Sequence, residues 1–251
     1  MNRIRLAIFD FAGCEGCQLQ IVDMEEQIRG LLGVVEPVEW REASSDHSDH
    51  YDVALVEGSI TRPQDEQRLR EIRQHATVLV ALGACAVSGG VNKLKNDSEM
   101  HEVERCVYGH DAAMPHLASS PAKALDEVVK VDFKVRGCPV SADELGYIVR
   151  CLALGTTPVI PNYPVCTECK MRESLCRYEC GEVCLGVITR AGCNAPCPAG
   201  GSWCYGCRGM VDDPNINAAH DVMARYGMTV EQLMARMRLF NGPEAQACLK
   251  H

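Results

Sequence analysis

Twelve of the sixteen cysteines in this 251-residue chain fall by spacing into three sets of four. Cys14 and Cys17 form a Cys-Glu-Gly-Cys pair, and Cys85 in Leu-Gly-Ala-Cys and Cys138 in Arg-Gly-Cys-Pro complete the first set. From Cys166 to Cys207 the density rises to nine cysteines in 42 residues. Within that run Cys166, Cys169, Cys176 and Cys184 follow Cys-x2-Cys-x6-Cys-x7-Cys, while Cys193, Cys197, Cys204 and Cys207 follow Cys-x3-Cys-x6-Cys-x2-Cys. Cys180 is left over. Four thiolates suit either zinc or a 4Fe-4S cluster, because both accept a tetrahedral set of soft ligands. Spacing alone does not choose between them. Cys138-Pro139 and Cys197-Pro198 echo the Cys-Pro ending of ferredoxin runs, and three quartets make sense as an electron relay. The compact two-cluster ferredoxin spacing is absent.

Composition narrows the setting. No apolar run is long enough to span a bilayer, and the Met-Asn-Arg-Ile-Arg-Leu start lacks a signal h-region, so a cytoplasmic protein without a membrane anchor is expected. In a reducing cytosol, cysteines at two-residue spacing serve as metal ligands rather than disulfides. A formal charge of -9 argues against nucleic acid, since phosphate binding needs a basic surface.

These ligands need a scaffold. Apolar runs of strand length occur at 4–9, 52–56, 77–82 and 131–135, with a weaker one at 34–40, and helical patterns lie between them. Residues 18–32 carry helical spacing, Thr61-Arg62-Pro63 opens a polar helix bearing Leu69 and Ile72, and Ser141 with Glu144 forms a capping box. Strand alternating with helix implies an α/β fold with a doubly wound, flavodoxin-like parallel sheet over residues 1–155. The segment 156–251 reads as a small cysteine-rich domain organised by its metals, with too few large apolar residues near the cysteines for a core of its own. It ends in a helical tail. Residues 217–226 precede Gly227, and Thr229 with Gln232 caps a helix carrying Leu233, Met234, Met237 and Leu239, a face suited to packing against a partner.

On such a sheet Cys14, Cys17, Cys85 and Cys138 all follow strands, at the carboxyl rim where open α/β sheets bind ligands. Glu57, in Val-Glu-Gly-Ser, shares that rim, either as a solvated loop acid or as part of the site. Neither GxGxxG after the first strand nor GxxxxGK[ST] is present, so nucleotide binding is not this domain's evident work.

Eight pieces, in order, carry a resemblance: Cys14-Glu-Gly-Cys17-Gln-Leu, Val-Glu57-Gly-Ser, Gly83-Ala-Cys85, Gly137-Cys138-Pro139, Cys166-x-x-Cys169-Lys, Cys184-Leu-Gly, Thr189-Arg-Ala-Gly-Cys193 and Cys204-Tyr-Gly-Cys207. Together they resemble the small subunit of nickel-iron hydrogenases, nearest the cytosolic branch of sulfhydrogenase delta chains and methanogen hydrogenase small subunits. The resemblance implies an oxidoreductase subunit whose nickel-iron site lies on a separate large subunit, and an electron path to a flavin or iron-sulfur acceptor subunit. It implies three 4Fe-4S clusters: a proximal one on Cys14, Cys17, Cys85 and Cys138, a medial one on Cys193, Cys197, Cys204 and Cys207, and a distal one on Cys166, Cys169, Cys176 and Cys184. No catalytic residue is implied on this chain. The chain departs from the pattern at Cys180, which has no counterpart, and at Val187, where proline is usual.

Two other readings compete. The small complex I subunit is related, but typically has adjacent paired cysteines near its start and lacks the second cysteine-rich domain. A protein organised by three zincs would be colourless. Cys106 and Cys151 stand outside the quartets and read as small buried hydrophobes, and His101, His110 and His116 fit no compact zinc site.

Overall fold

The computed structural model describes residues 3–24, 30, 33–109 and 119–248, without the side chains of 230 and 241–248. Five strands form where the apolar runs predict them: β1 (Ile4–Asp10), β2 (Val35–Trp40), β3 (Tyr51–Glu57), β4 (Ala76–Leu82) and β5 (Phe133–Val135). All pairings are parallel, in the order β2-β1-β3-β4-β5, which is the flavodoxin-like order. Side-chain alternation splits the sheet between two cores. Leu6, Ile8, Leu55, Val80 and Leu82 pack towards Leu145, Ile148 and Val149. Ala7, Phe9, Ala54, Val56, Leu79 and Ala81 face Leu69 and Ile72 on the other side.

Among the described residues the α-helices of this region are α1 (Gly16–Val22), α2 (Pro63–His75), α3 (Gly83–Ser88), α4 (Met100–Tyr108) and α5 (Ala142–Ala153). Pro63 starts α2, with Asp65 and Glu66 in the first turn where the helix dipole favours acids. The first helix begins two residues before the predicted 18 and stops at Val22, and residues 25–29, 31 and 32 lie outside the described residues. The capping box of α5 is half made: Ser141 Oγ accepts from the Glu144 N–H at 3.4 Å, but the Glu144 carboxylate turns away to Arg208. A tertiary partner outcompetes the local one.

The cysteine-rich region contains α6 (Val165–Met171), α7 (Pro196–Ala199), α8 (Ile216–Arg225) and α9 (Val230–Cys248). Contrary to the expectation above, it has a core of its own, built from Val165, Tyr178, Leu185, Ile188, Met223, Leu233 and Met237. The physical reason is that Val165, Tyr178, Leu185 and Ile188 of the cysteine loops pack against Met223, Leu233 and Met237 supplied by α8 and α9. Leu233 and Met237 of the predicted face are buried within this chain, while Met234 and Leu239 are only partly buried. Thr229 and Gln232 do form a reciprocal cap on α9, with bonds of 2.9 and 3.3 Å. This last helix also lies back on the sheet region, where Ser88 Oγ donates to the Phe240 carbonyl at 2.9 Å and Arg238 pairs with Asp97 at 3.5 Å. Among the described residues no helix is long and apolar enough to cross a membrane.

Candidate metal centres

The carboxyl ends of β1, β3, β4 and β5 deliver the first set of groups to one rim. Cys14 and Cys17 flank the start of α1, Cys85 lies in α3 directly after β4, and Cys138 follows β5. Glu15, between the first two, is held at φ 61°, a left-handed conformation that costs a residue with a Cβ roughly 1 kcal/mol or more. Gly83 stands at φ 85°, and a Cβ there would lie 2.4 Å from Cys17 Sγ, so the turn out of β4 leaves room only for a hydrogen beside that thiol.

Glu57 is buried, 4% exposed, so it is not a solvated loop acid. Its carboxylate accepts from the Cys17 N–H at 3.1 Å and the Gln18 N–H at 3.2 Å, capping α1 from another strand where Glu15 makes no side-chain cap. Burial pushes the Glu57 carboxyl up, and these bonds oppose the shift.

The thiols report their own grouping. Burial pushes Cys85 up to about 11, with further repulsion from Cys138 and Cys14. Cys17 is raised by burial first, then by Glu57 and, among others, Cys138. Cys166 goes up to about 12 through burial, then Cys184, Cys169 and Cys176. Cys207 goes up to about 11, by burial first, with Cys193, Cys197 and Cys138 adding to it. Cys204 is raised strongly by burial and feels both Cys184 and Cys207. Thiols within each set thus lie near enough to raise one another, and Cys204 with Cys184 and Cys207 with Cys138 do so across sets. Cys180 is exposed.

Adjacent sets also touch. The Cys138 backbone donates to Cys207 sulfur, and the Cys204 N–H donates to Cys184 Sγ at 3.2 Å. Contacts therefore lead from the rim set to the Cys193–Cys207 set, and from there to the Cys166–Cys184 set. Between the rim and the cysteine loops lies a cavity of about 400 Å³ lined by Cys138, Cys193, Cys197, Cys204, Cys207 and Arg208.

The donor set fits a polynuclear iron-sulfur group. All ligand candidates are soft sulfur, and several are met by backbone N–H donors, as from Ala195 to Cys193 and from Gly186 to Cys184. Asn194 and Ala195 hold left-handed φ of 58° and 46° directly after Cys193, a strain stored where the loop turns its amides to sulfur. Gly186 leaves space for both Cys166 and Cys184, whose Sγ atoms would each be 3.5 Å from a Cβ there.

Several supporting residues were not legible in advance. Tyr178 donates its hydroxyl to the Cys184 carbonyl at 2.5 Å, and Glu168 accepts from the Gly192 N–H at 2.8 Å beside Cys193. Arg208, buried directly after Cys207, is a third. Cys106 is exposed and Cys151 only partly buried, correcting their reading as buried hydrophobes: α4 buries no residue, so position 106 has no core to enter. His101 is exposed, and His110 and His116 lie outside the described residues.

Residues 14–152 match the family described as NADH ubiquinone oxidoreductase, 20 Kd subunit. Sulfhydrogenase 2 subunit delta of Pyrococcus furiosus is 35% identical over 243 residues, covering 94% of this chain and 99% of that protein. A vhu-type F420-non-reducing hydrogenase subunit of Methanocaldococcus jannaschii is 30% identical, covering 95% of this chain and 93% of that protein. A chain of the NAD+-reducing [NiFe]-hydrogenase crystallised in the H2-reduced state superposes with a TM-score of 0.59 at 27% identity, covering 64% of this chain and 96% of that one. A [NiFeSe]-hydrogenase chain from Dm. baculatum, at 14% identity and a TM-score of 0.55, shares the fold over 86% of this chain and 97% of that one. The family match stops before the cysteine-rich region, whereas the two hydrogenase relatives run through it. The chain therefore belongs to the 20 Kd subunit family, in its branch of nickel-iron hydrogenase small subunits.

Proposed function

We propose that this chain is the electron-transfer subunit of a cytoplasmic, heteromeric nickel-iron hydrogenase. In this reading it connects a large subunit carrying the nickel-iron centre with a flavin or iron-sulfur acceptor subunit. The residues that would hold three 4Fe-4S clusters are Cys14, Cys17, Cys85 and Cys138; Cys193, Cys197, Cys204 and Cys207; and Cys166, Cys169, Cys176 and Cys184. The sheet domain is assigned to 1–155 and the cysteine-rich domain to 156–251. When bound, such clusters supply one-electron redox chemistry whose potential depends on charge, hydrogen bonds to sulfur and exposure.

The chain's own groups account for the rest. Glu57 fixes the helix that presents Cys17, the Cys138 and Cys204 amides tie each quartet to the next, and the Tyr178 hydroxyl anchors the Cys184 carbonyl. Buried Cys17, Cys184 and Cys204 are shielded from water, while Cys14, Cys138 and Cys176 are exposed at the two ends of the series and would be covered by partners. The observation that carries the reading is this linear order, with a direct peptide contact at each junction.

Counting iron, sulfide, nickel and zinc per copy in the complex captured anaerobically through this chain tests it. Iron near twelve plus that of the active site, with about one nickel, is expected. Iron without nickel would favour a complex I-like carrier, the reading suggested by the family description, and zinc without iron would refute both.

A further inference from the structure

Among the described residues Arg208 is the largest fully buried side chain, 1% exposed, and it follows Cys207 directly. It spans the seam between the two regions. From the cysteine-rich side its Nε donates to the Ala191 carbonyl at 2.8 Å. On the sheet side Nη1 donates to the Arg136 carbonyl at 2.6 Å, two residues before Cys138. Its fork meets the Glu144 carboxylate in two bonds of 2.7 and 2.6 Å, and that carboxylate is itself buried. Gly192, just before Cys193, closes over the pair: a Cβ there would lie 2.4 Å from Arg208 Nη2 and 3.0 Å from Glu144 Oε1.

We propose that Arg208 is a positioning residue that sets both the seating and the reduction potential of the cluster on Cys193, Cys197, Cys204 and Cys207. The inference rests on the reading that this quartet holds an iron-sulfur cluster. Its basis is geometric. Arg208 is among the residues lining the cavity that holds the four thiols, and the bonds of its guanidinium pin the loop before Cys193 and the segment leading into Cys138 to the residue after Cys207. Electrostatics adds direction. An arginine does not deprotonate in a protein, and a fixed positive charge against the ligand sulfurs favours the reduced, more negative state. Cys193 and Cys207 both interact with this charge. Glu144 offsets part of it from the far side, so the two members of one ion pair act on the potential in opposite senses. Arg136, Arg190, Asp212 and Asp126 are further charged groups near the seam, and the Glu168 carboxylate faces Cys193 at 4.0 Å.

The test is a redox titration, followed by electron paramagnetic resonance, of the anaerobically purified complex containing wild type, R208Q, R208K or E144Q. Arg208→Gln should lower the potential of this cluster and Glu144→Gln should raise it, each changing the oxidised-to-reduced ratio at fixed potential about threefold, roughly 30 mV for one electron. Arg208→Lys should keep the potential while lowering the unfolding midpoint, because the charge remains and the fork is lost. Shifts of the same sign in R208Q and E144Q, or none in either, would overturn the proposal. If R208Q gives no folded complex, an unshifted or lowered potential in E144Q overturns it alone. Absence of iron and sulfide from the wild-type complex would instead refute the underlying cluster reading.

Discussion

Replacing Gly83 by alanine asks whether Cys17 is a ligand or merely a buried thiol. The added methyl would stand 2.4 Å from Cys17 Sγ, so the sulfur must retreat by about 1.1–1.6 Å to reach ordinary contact at about 3.5–4.0 Å. A free thiol can do this by rotating, since the clash is with the end of a side chain. A ligated one cannot, because metal-ligand distances tolerate only about 0.2 Å. The φ of 85° adds a separate cost of roughly 1–2 kcal/mol, present whether or not a metal binds. Iron and acid-labile sulfide per chain, measured beside a urea unfolding curve, separate the two terms. If Cys17 is a ligand, Gly83→Ala should lose the proximal cluster, taking this chain from about twelve irons to about eight. A variant with its full iron, destabilised only by the φ term, would refute the assignment of Cys17 and with it the sheet-rim quartet.

Cys176→Ser should remove about a third of the chain's iron, whereas Cys180→Ser should leave it unchanged; metal analysis of the two side by side checks which thiol belongs to the distal quartet. Met237, fully buried in the second core, should cost about 2–5 kcal/mol on truncation to alanine, read as a lower unfolding midpoint. Burial pushes the Asp132 carboxyl up, but the Leu79 N–H at 2.9 Å and Arg73 outweigh it and hold it below the usual range. A depressed carboxylate pKa gives stability that is complete above the unfolded value near 3.9 and is lost as pH falls through the folded one. Asp132→Asn should therefore cost about 1.5–3 kcal/mol at pH 7, with the gap to wild type closing below about pH 4 in unfolding curves taken across that range.

The cysteines could be sorted into sets in the sequence because soft, paired cysteines are rare and their loop spacing is local. The four on the sheet rim converge from widely separated positions, and what made them readable was the parallel topology, which returns every strand's carboxyl end to the same edge. The environment of those ligands was not legible. Glu144 illustrates the reason: three residues after Ser141 it satisfies the pattern of a helix cap, and a local rule assigns its carboxylate to the helix. The folded chain spends it on a guanidinium 64 positions away, because a buried arginine without a counter-charge would cost far more than an unfinished cap. Glu57 shows the converse. It lies outside α1 in sequence and lacks any capping pattern, yet it performs the cap that Glu15 does not. In both cases the chemistry of a charged side chain is decided by which partner burial leaves available, and burial follows from contacts between distant segments. The same holds for the second core, whose apolar half is carried by α8 and α9 beyond the last cysteine of the quartets. Cysteine spacing thus points to where metal would be held, while the charges and packing around those positions belong to the tertiary structure.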